Sequence, residues 1–212
     1  MYDKLDTLVQ KKDIRKSEII EHPSYVNELA HYIMQDLKEF RKIQGDDTLG
    51  GMIICETSEQ ARRLYDVFQE EWQKYQPKPI KIKLPDGTFV VGEPEVDYKS
   101  KYRPLKAGII LHDTDDKETR KQTVKDFKKN MTVDILIVFN MLLTGFDAPR
   151  LKRLYFGRKL KDHNLLQAIT RVNRPYPGMR YGFVIDFADI KRNFKETNEA
   201  YLQELNRFND VE

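Results

Sequence analysis

Three polar residues in the C-terminal half, Gln167, Arg171 and Arg174, have the types and the spacing to bind an anion. On a helix, positions i, i+4 and i+7 share one face, so the amide and both guanidinium groups would point the same way. Arginine stays charged at physiological pH and suits bidentate hydrogen bonds to phosphate oxygens. The spacing therefore predicts a phosphate-binding helix face, with Arg171 and Arg174 as candidate catalytic residues.

The simpler alternative is a solvated or ion-paired helix face, which holds for most isolated pairs of surface arginines. Two observations favour a functional face. Leu165, Ile169 and Val172 form an apolar back opposite the arginines, and the helix follows a predicted buried strand. No acidic residue stands beside the arginines along the helix, so we expect their charge to be available to a ligand.

A second stretch that could bind a ligand, residues 140–149, directly follows the predicted strand 134–139. In open α/β sheets, ligands lie beyond the carboxyl ends of the strands, so we expect the site there. Thr144 and Gly145 can offer a hydroxyl and backbone N–H groups to a phosphate. Asp147 can accept a hydrogen bond from a ribose hydroxyl or orient an arginine. A simple turn that closes a short helix is the alternative.

A third pattern, Pro85 and Asp86 followed by Asp97 and Lys99, matches the loose spacing of a PD-(D/E)xK nuclease site. Such a site would gather carboxylates and a lysine around Mg²⁺. The spacing is permissive, and Pro-Asp-Gly is also a common turn tripeptide. We therefore favour a turn and predict no metal site within this chain.

The elements that must position these residues alternate between strands and helices. Apolar runs predict buried strands, while 3–4-residue spacing of apolar side chains predicts amphipathic helices. This alternation predicts an α/β fold with a mainly parallel sheet and helices on both faces. The predicted strands are 52–55, 107–111, 134–139, 151–156 and 181–187, the helices are 24–43, 58–75, 117–128 and 163–174, and a hairpin covers 80–91.

The predicted division of the chain has three parts. A charged, partly helical linker segment covers residues 1–49, one α/β domain covers 50–190, and a helical extension covers 191–212. The predicted hairpin lies in an insertion at about 77–106 of the central domain. A chain of 212 residues is long enough for one full domain with a sizeable core.

Composition excludes several classes of protein. No run reaches the 18 apolar residues that a membrane span needs, and no secretory signal is visible, so we expect a cytoplasmic protein. Cys55 is the single cysteine and lies in an apolar run, where a small core residue is the favoured interpretation. The net charge of +3 is slight, so any phosphate binding must be local.

The motifs resemble those of a known family. TGFD at 144–147, followed by a strand and by Gln167, Arg171 and Arg174, resembles motifs V and VI in the second RecA-like domain of superfamily 2 helicases and translocases. More narrowly, LLTGFDAP at 142–149, LKDHNLLQAITRVNRP at 160–175 and YGFVIDF at 181–187 resemble the restriction (R) subunit, HsdR, of type I restriction-modification enzymes. The specific resemblance covers about residues 107–189.

That resemblance implies a RecA-like three-layer fold and half of an ATP-driven motor. Arg171 and Arg174 would contact the γ-phosphate of ATP, while Gln167, Asp147 and Gly145 would bind or position the nucleotide. Thr144 and Gly145 would lie near DNA phosphates. The implied partners are double-stranded DNA, the first RecA-like domain, and the methyltransferase and specificity subunits.

The sequence departs from a complete motor, because it has no P-loop (G-x-x-x-x-G-K-[ST]) and no DEAD or DEAH box. By the resemblance, the first RecA-like domain supplies these motifs and holds Mg²⁺. We therefore expect a fragment, or the product of a truncated gene, that is inactive alone. The alternatives are the C-terminal domain of another superfamily 2 helicase, and a non-catalytic docking module whose arginine face binds an acidic partner.

Overall fold

The computed structural model describes residues 16–75, 80–84, 88–92, 104–112, 116–141, 146–160 and 162–188. Most predicted elements are confirmed, with ends that shift by one to a few residues. The α-helices are α1 (Lys16–Ile20), α2 (Pro23–Gln44), α3 (Ser58–Lys74), α4 (Lys117–Lys125) and α5 (Asp162–Val172), and a π-helix (Asp126–Asn130) directly follows α4. The strands are β1 (Gly50–Ile54), β2 (Ile80–Lys83), β3 (Phe89–Gly92), β4 (Ala107–Ile110), β5 (Ile135–Val138), β6 (Leu151–Phe156) and β7 (Phe183–Asp186).

Five strands form one sheet in the order β4-β5-β1-β6-β7, and every neighbouring pair is parallel. The three central strands consist mostly of apolar residues, because a parallel sheet is covered on both faces. Every residue of β1 and β5 is buried. The predicted parallel sheet is confirmed.

Alternate residues of the central strands enter two different cores. Ile53 packs with the apolar faces of α2 and α3, whereas Met52 and Ile54 pack with Leu165 and Val172 of α5. The period of two along a strand therefore distributes the same apolar run between two layers of helices. The result is the expected three-layer arrangement, with the sheet in the middle.

Helix α2 is anchored to the sheet by a buried ion pair. Arg41 Nη2 lies 2.9 Å from Asp134 Oδ1, and Arg41 Nε donates a hydrogen bond to the Leu49 carbonyl at 2.7 Å. The other carboxylate oxygen of Asp134 accepts a hydrogen bond from the Lys106 backbone N–H at 2.8 Å. Much of the segment that we predicted as a linker thus packs on the sheet, while the division of the chain at residue 49 stays a prediction.

Strands β2 and β3 form a separate antiparallel pair, in which Ile80 aligns with Gly92, so the predicted hairpin is confirmed. The candidate nuclease residues Asp86, Asp97 and Lys99 lie outside the described residues. Within the described ranges, no helix is both long and apolar enough to cross a membrane.

Candidate functional site

Helix α5 carries two residues of the predicted polar face, Gln167 and Arg171. Leu165, Ala168 and Val172 are buried against the sheet, while Gln167 and Arg171 are partly exposed on the other side. The helix therefore has the apolar back and polar front that its sequence period predicts. Gln167 lies one turn before Arg171, as expected, and its predicted role in positioning a ligand remains a prediction.

Arg174 is not on the helix, so the expectation that α5 carries all three polar residues is wrong for this one. The helix ends at Val172. Arg174 precedes Pro175, and a residue before proline is pushed out of the helical region by the proline ring. Proline also lacks the N–H that would continue the helical hydrogen bonds. Arg174 consequently lies two residues past the helix end.

Arg171 and Arg174 nevertheless converge on two consecutive residues. Arg171 Nη1 donates a hydrogen bond to the Phe146 carbonyl at 2.6 Å, and Arg174 Nε lies 3.1 Å from Asp147 Oδ1. The two stretches that the sequence singled out therefore meet in space. We name Arg171, Arg174, Phe146 and Asp147 the arginine cluster.

Asp147 is the acidic partner of Arg174, while its two predicted roles, toward a ribose hydroxyl and in orienting an arginine, remain predictions. The sequence shows no acidic residue beside the arginines along the helix, but the fold gives Arg174 an acidic partner. Its partner is distant along the chain and is brought near by the fold. The side chains of Arg174 and Asp147 are 43% and 55% exposed. An ion pair this exposed is worth about 0–1 kcal/mol, so a phosphate can compete for Arg174.

The electrostatics of the arginine cluster favour an anion. Burial lowers the pKa of Arg171, the nearby charge of Arg174 lowers it further, and Asp147 opposes both effects. An arginine has so high an intrinsic pKa that Arg171 remains protonated. Two cations held close together repel each other, and an anion that binds between them lowers their electrostatic energy.

Sequence reasoning missed a third cation, Lys152. Its side chain is fully buried, and Lys152 Nζ donates hydrogen bonds to the carbonyls of Val172, at 3.3 Å, and Arg174. Burial lowers the pKa of this amine. Lys152 and Arg153 stand side by side in a strand whose other residues are hydrophobic, and this charged pair is the sequence signal that points to Lys152.

The arginine cluster lies at the amino ends of β6 and β7, whereas the sequence analysis expected a site at the carboxyl ends. Lys152 is the second residue of β6, and Gly182 directly precedes β7. A Cβ atom on Gly182 would lie 2.5 Å from the Val172 carbonyl oxygen. Because β6 runs parallel to β5, the chain must return to the amino edge before β6 begins, and it brings Phe146 and Asp147 there.

A different pair of side chains marks the carboxyl edge of the sheet. Arg158 Nη1 donates a hydrogen bond to Asn140 Oδ1, and the Arg158 guanidinium lies 5.7 Å from the centre of the Phe139 ring. Asn140 has a φ of 54°, a left-handed conformation that asparagine tolerates better than most residues. The candidate phosphate ligands Thr144 and Gly145 lie outside the described residues.

The site offers donors for an anion and no ligand set for a cation. Among the described residues, no group of three or more His, Cys, Asp or Glu side chains is close enough to hold a metal ion. The guanidinium groups of Arg171 and Arg174 match the chemistry of a phosphate. The predicted binding of ATP, with Mg²⁺ held by another domain, remains a prediction.

The parallel sheet covered by helices on both faces defines the class of domain. It is the RecA-like fold of helicases. The structure is similar to domain 2 of the DEAD-box helicase Mss116p bound to an RNA duplex, with a TM-score of 0.52 and 16% sequence identity over 84% of this chain and 56% of that chain. At this identity the likeness concerns the fold alone.

The sequence comparisons show which proteins the chain is similar to. Residues 96–189 match the family described as type I restriction enzyme subunit R domain 3. The chain is 31% identical over 209 residues to the type I restriction enzyme MjaVIIIP endonuclease subunit of Methanocaldococcus jannaschii, an alignment that covers 92% of this chain and 19% of the relative. It is 39% identical over 92 residues to the SauCOLORF180P endonuclease subunit of Staphylococcus aureus (strain COL), covering 43% of this chain and 10% of the relative.

The predicted resemblance is therefore confirmed: the chain is related to the endonuclease subunits of type I restriction enzymes and has a helicase-type RecA-like fold. The alignments cover 19% and 10% of these two relatives. The chain thus corresponds to less than a fifth of either one.

Proposed function

We propose that this chain is the second RecA-like motor domain of a type I restriction enzyme R subunit. In this role it couples ATP hydrolysis to movement along double-stranded DNA, before the full complex cleaves the DNA. The observation that carries the proposal is the arginine cluster, in which Arg171 and Arg174 are bound to the consecutive residues Phe146 and Asp147. The relationship to R subunits supports the same role.

Arg171 and Arg174 stabilise the charge that develops on the γ-phosphate of ATP, and Gln167 positions that contact. Phosphoryl transfer depends on fixed cations at the transferring group, and a single arginine can contribute about 10³–10⁵ in kcat. The sequence contains no P-loop, so ATP is shared with another RecA-like domain that also binds Mg²⁺. Asp147 holds Arg174 until the phosphate replaces it.

DNA is held through its backbone, because a motor that moves along DNA must not depend on base sequence. Thr144 and Gly145 are the proposed phosphate contacts, through a hydroxyl and backbone N–H groups. Recognition of the DNA site belongs to the methyltransferase and specificity subunits of the complex. We place this activity in the cytoplasm.

The test is DNA-stimulated ATP turnover in an R subunit that joins this sequence to a P-loop domain. Arg171→Ala should lower kcat by at least about a hundredfold, with a smaller change in KM, because the contact acts mainly in the transition state. Arg171→Lys should recover little activity, since an ammonium group cannot form the bidentate contact.

Arg120→Ala is the matched control. Arg120 lies on α4, and its guanidinium donates a 3.4 Å hydrogen bond to the Leu111 carbonyl, away from the arginine cluster. This variant should keep the parent turnover. If Arg171→Ala also keeps the parent turnover, the assignment of Arg171 to ATP hydrolysis is wrong.

A further inference from the structure

We propose that Lys152 is a positioning residue for the arginine cluster. Its buried ammonium binds the carbonyls of Val172 and Arg174 and thereby fixes the backbone that carries Arg171 and Arg174. The consequence for ATP turnover rests on the proposed function above. The structural part of the inference does not depend on it.

The environment of Lys152 explains why a charge is buried there. The last carbonyls of a helix have no partner within the helix, and the helix dipole makes this end negative. Val172 is the last residue of α5, so its carbonyl is one of these acceptors. A lysine at this position satisfies the carbonyl and interacts favourably with the dipole. These contacts offset the cost of removing the ammonium from water.

The segment after the helix needs an external contact to hold its shape. Residues 173 and 174 lie beyond the helical hydrogen bonds, and Pro175 has no N–H to add one. Lys152 Nζ holds both ends of this segment, because it donates hydrogen bonds to the carbonyl of Val172, just before the segment, and to that of Arg174, within it. Gly182 packs closely against the Val172 carbonyl, because the absence of a Cβ atom lets its backbone approach.

Lys152 also connects the segment to an interior strand of the sheet. It belongs to β6, which pairs with β1 on one side and β7 on the other. The ion pair between Arg174 and Asp147 is exposed and can be exchanged for a ligand phosphate. The contact of Lys152 is buried and cannot be exchanged in this way. It therefore keeps the Arg174 backbone in place when the side chain changes its partner.

The first test uses the 212-residue chain and nuclear magnetic resonance. The ammonium protons of Lys152 should exchange slowly with water, and Lys152→Met should shift the backbone signals of Asn173 and Arg174. Methionine keeps roughly the length of the side chain and removes the charge and the donor, so the carbonyls of Val172 and Arg174 lose this hydrogen bond. Lys159→Met is the matched control, because Lys159 is exposed in the loop between β6 and α5.

The second test measures ATP turnover in the R subunit that joins this sequence to a P-loop domain. Lys152→Met should lower kcat by about ten- to a hundredfold, since displacement of a catalytic group by about 1 Å has effects of that size. Lys152→Arg keeps a cationic donor and should restore part of the loss. Thermal unfolding of each variant separates a change in turnover from a loss of folded protein.

The outcomes distinguish this inference from the proposed function. If Arg171→Ala lowers kcat and Lys152→Met leaves it unchanged, Lys152 does not position the arginines. If Arg171→Ala has no effect, the proposed function fails, and the resonance experiment alone decides whether Lys152 fixes the backbone. Ammonium protons of Lys152 that exchange as fast as those of Lys159 in the parent chain would overturn the inference without any variant.

Discussion

Arg174 Nε lies 3.1 Å from Asp147 Oδ1, which ties the segment after helix α5 to the loop before strand β6. The neighbouring guanidinium of Arg171 contacts the carbonyl of Phe146, one residue earlier in the same loop. Two cations therefore contact consecutive residues, one through a backbone carbonyl and the other through a carboxylate. The carboxylate occupies the position to which an anionic ligand would be attracted. Asp147 holds the Arg174 side chain in place and competes with an anionic ligand for it.

Replacement of Asp147 by asparagine should strengthen anion binding. Asp147→Asn removes the negative charge and keeps a hydrogen-bond acceptor, so Arg174 loses its charged competitor. The affinity of the chain for inorganic triphosphate at low salt should rise by up to about fivefold, which corresponds to about 1 kcal/mol for an exposed ion pair. Isothermal titration calorimetry would measure the affinity for triphosphate in the parent chain and in the variant. Asp66→Asn, at an exposed position of α3, is the control, and an equal effect of both variants would contradict the competition.

Gly182 should not tolerate alanine. The added Cβ would lie 2.5 Å from the Val172 carbonyl oxygen and 3.0 Å from that of Lys152, and backbone atoms cannot move aside easily. Gly182→Ala should lower the free energy of unfolding by about 1–3 kcal/mol, which urea titration followed by circular dichroism would measure. Lys159→Ala, at an exposed site, should change it by less than about 0.5 kcal/mol. Equal stability of the two variants would mean that the close approach is absent.

The buried pair of Arg41 and Asp134 should couple strongly. Arg41→Met leaves the Asp134 carboxylate in the core without its cation and should cost about 3–5 kcal/mol of unfolding free energy. In the double variant with Asp134→Asn, part of this loss should return, because the buried negative charge is gone. A double-mutant cycle by chemical denaturation gives the coupling energy.

The ion pair between Arg63 and Glu59 on the surface of α3 provides the comparison for that cycle. Such i,i+4 pairs are worth about 0.3–0.5 kcal/mol. If the coupling between Arg41 and Asp134 is as small as that of the surface pair, α2 is not anchored through the core as described.

Cys55 should be inert in the folded protein. Its side chain is completely buried, and this burial strongly raises the pKa of the thiol. A thiol-specific reagent at pH 8 should therefore react with Cys55 only after the chain is unfolded in denaturant. Rapid reaction of the native chain would contradict the packing of β1 against α2 and α3.

The same pKa shift predicts how stability changes in alkali. The folded state keeps the Cys55 proton, whereas the unfolded thiol ionises near its ordinary pKa of 9.0. The unfolded state then binds fewer protons, so the free energy of unfolding should fall as the pH rises above about 9. Cys55→Ala lacks this contribution, and its stability should fall less steeply between pH 8 and 10. Parallel profiles for the two proteins would show that the thiol does not contribute.

The sequence by itself determined the elements and the face that each one buries. Alternation along Met52, Ile53 and Ile54 assigns their side chains to opposite faces of a strand, and the spacing of Leu165, Ile169 and Val172 defines the buried side of α5. These patterns depend on local backbone geometry, which is the same wherever the element packs. The predicted parallel sheet followed from the alternation of strands and helices.

Tertiary structure decided which charged groups meet. Lys152 lies 22 residues before Arg174 in the chain, and no local period relates the two. Their contact depends on the return of the chain to the amino edge of the sheet and on the end of α5 before Pro175. Burial then makes the contact of Lys152 obligatory, because an ammonium group away from water requires a partner. Local sequence patterns predict neither the position of such a partner nor the edge of the sheet where it lies.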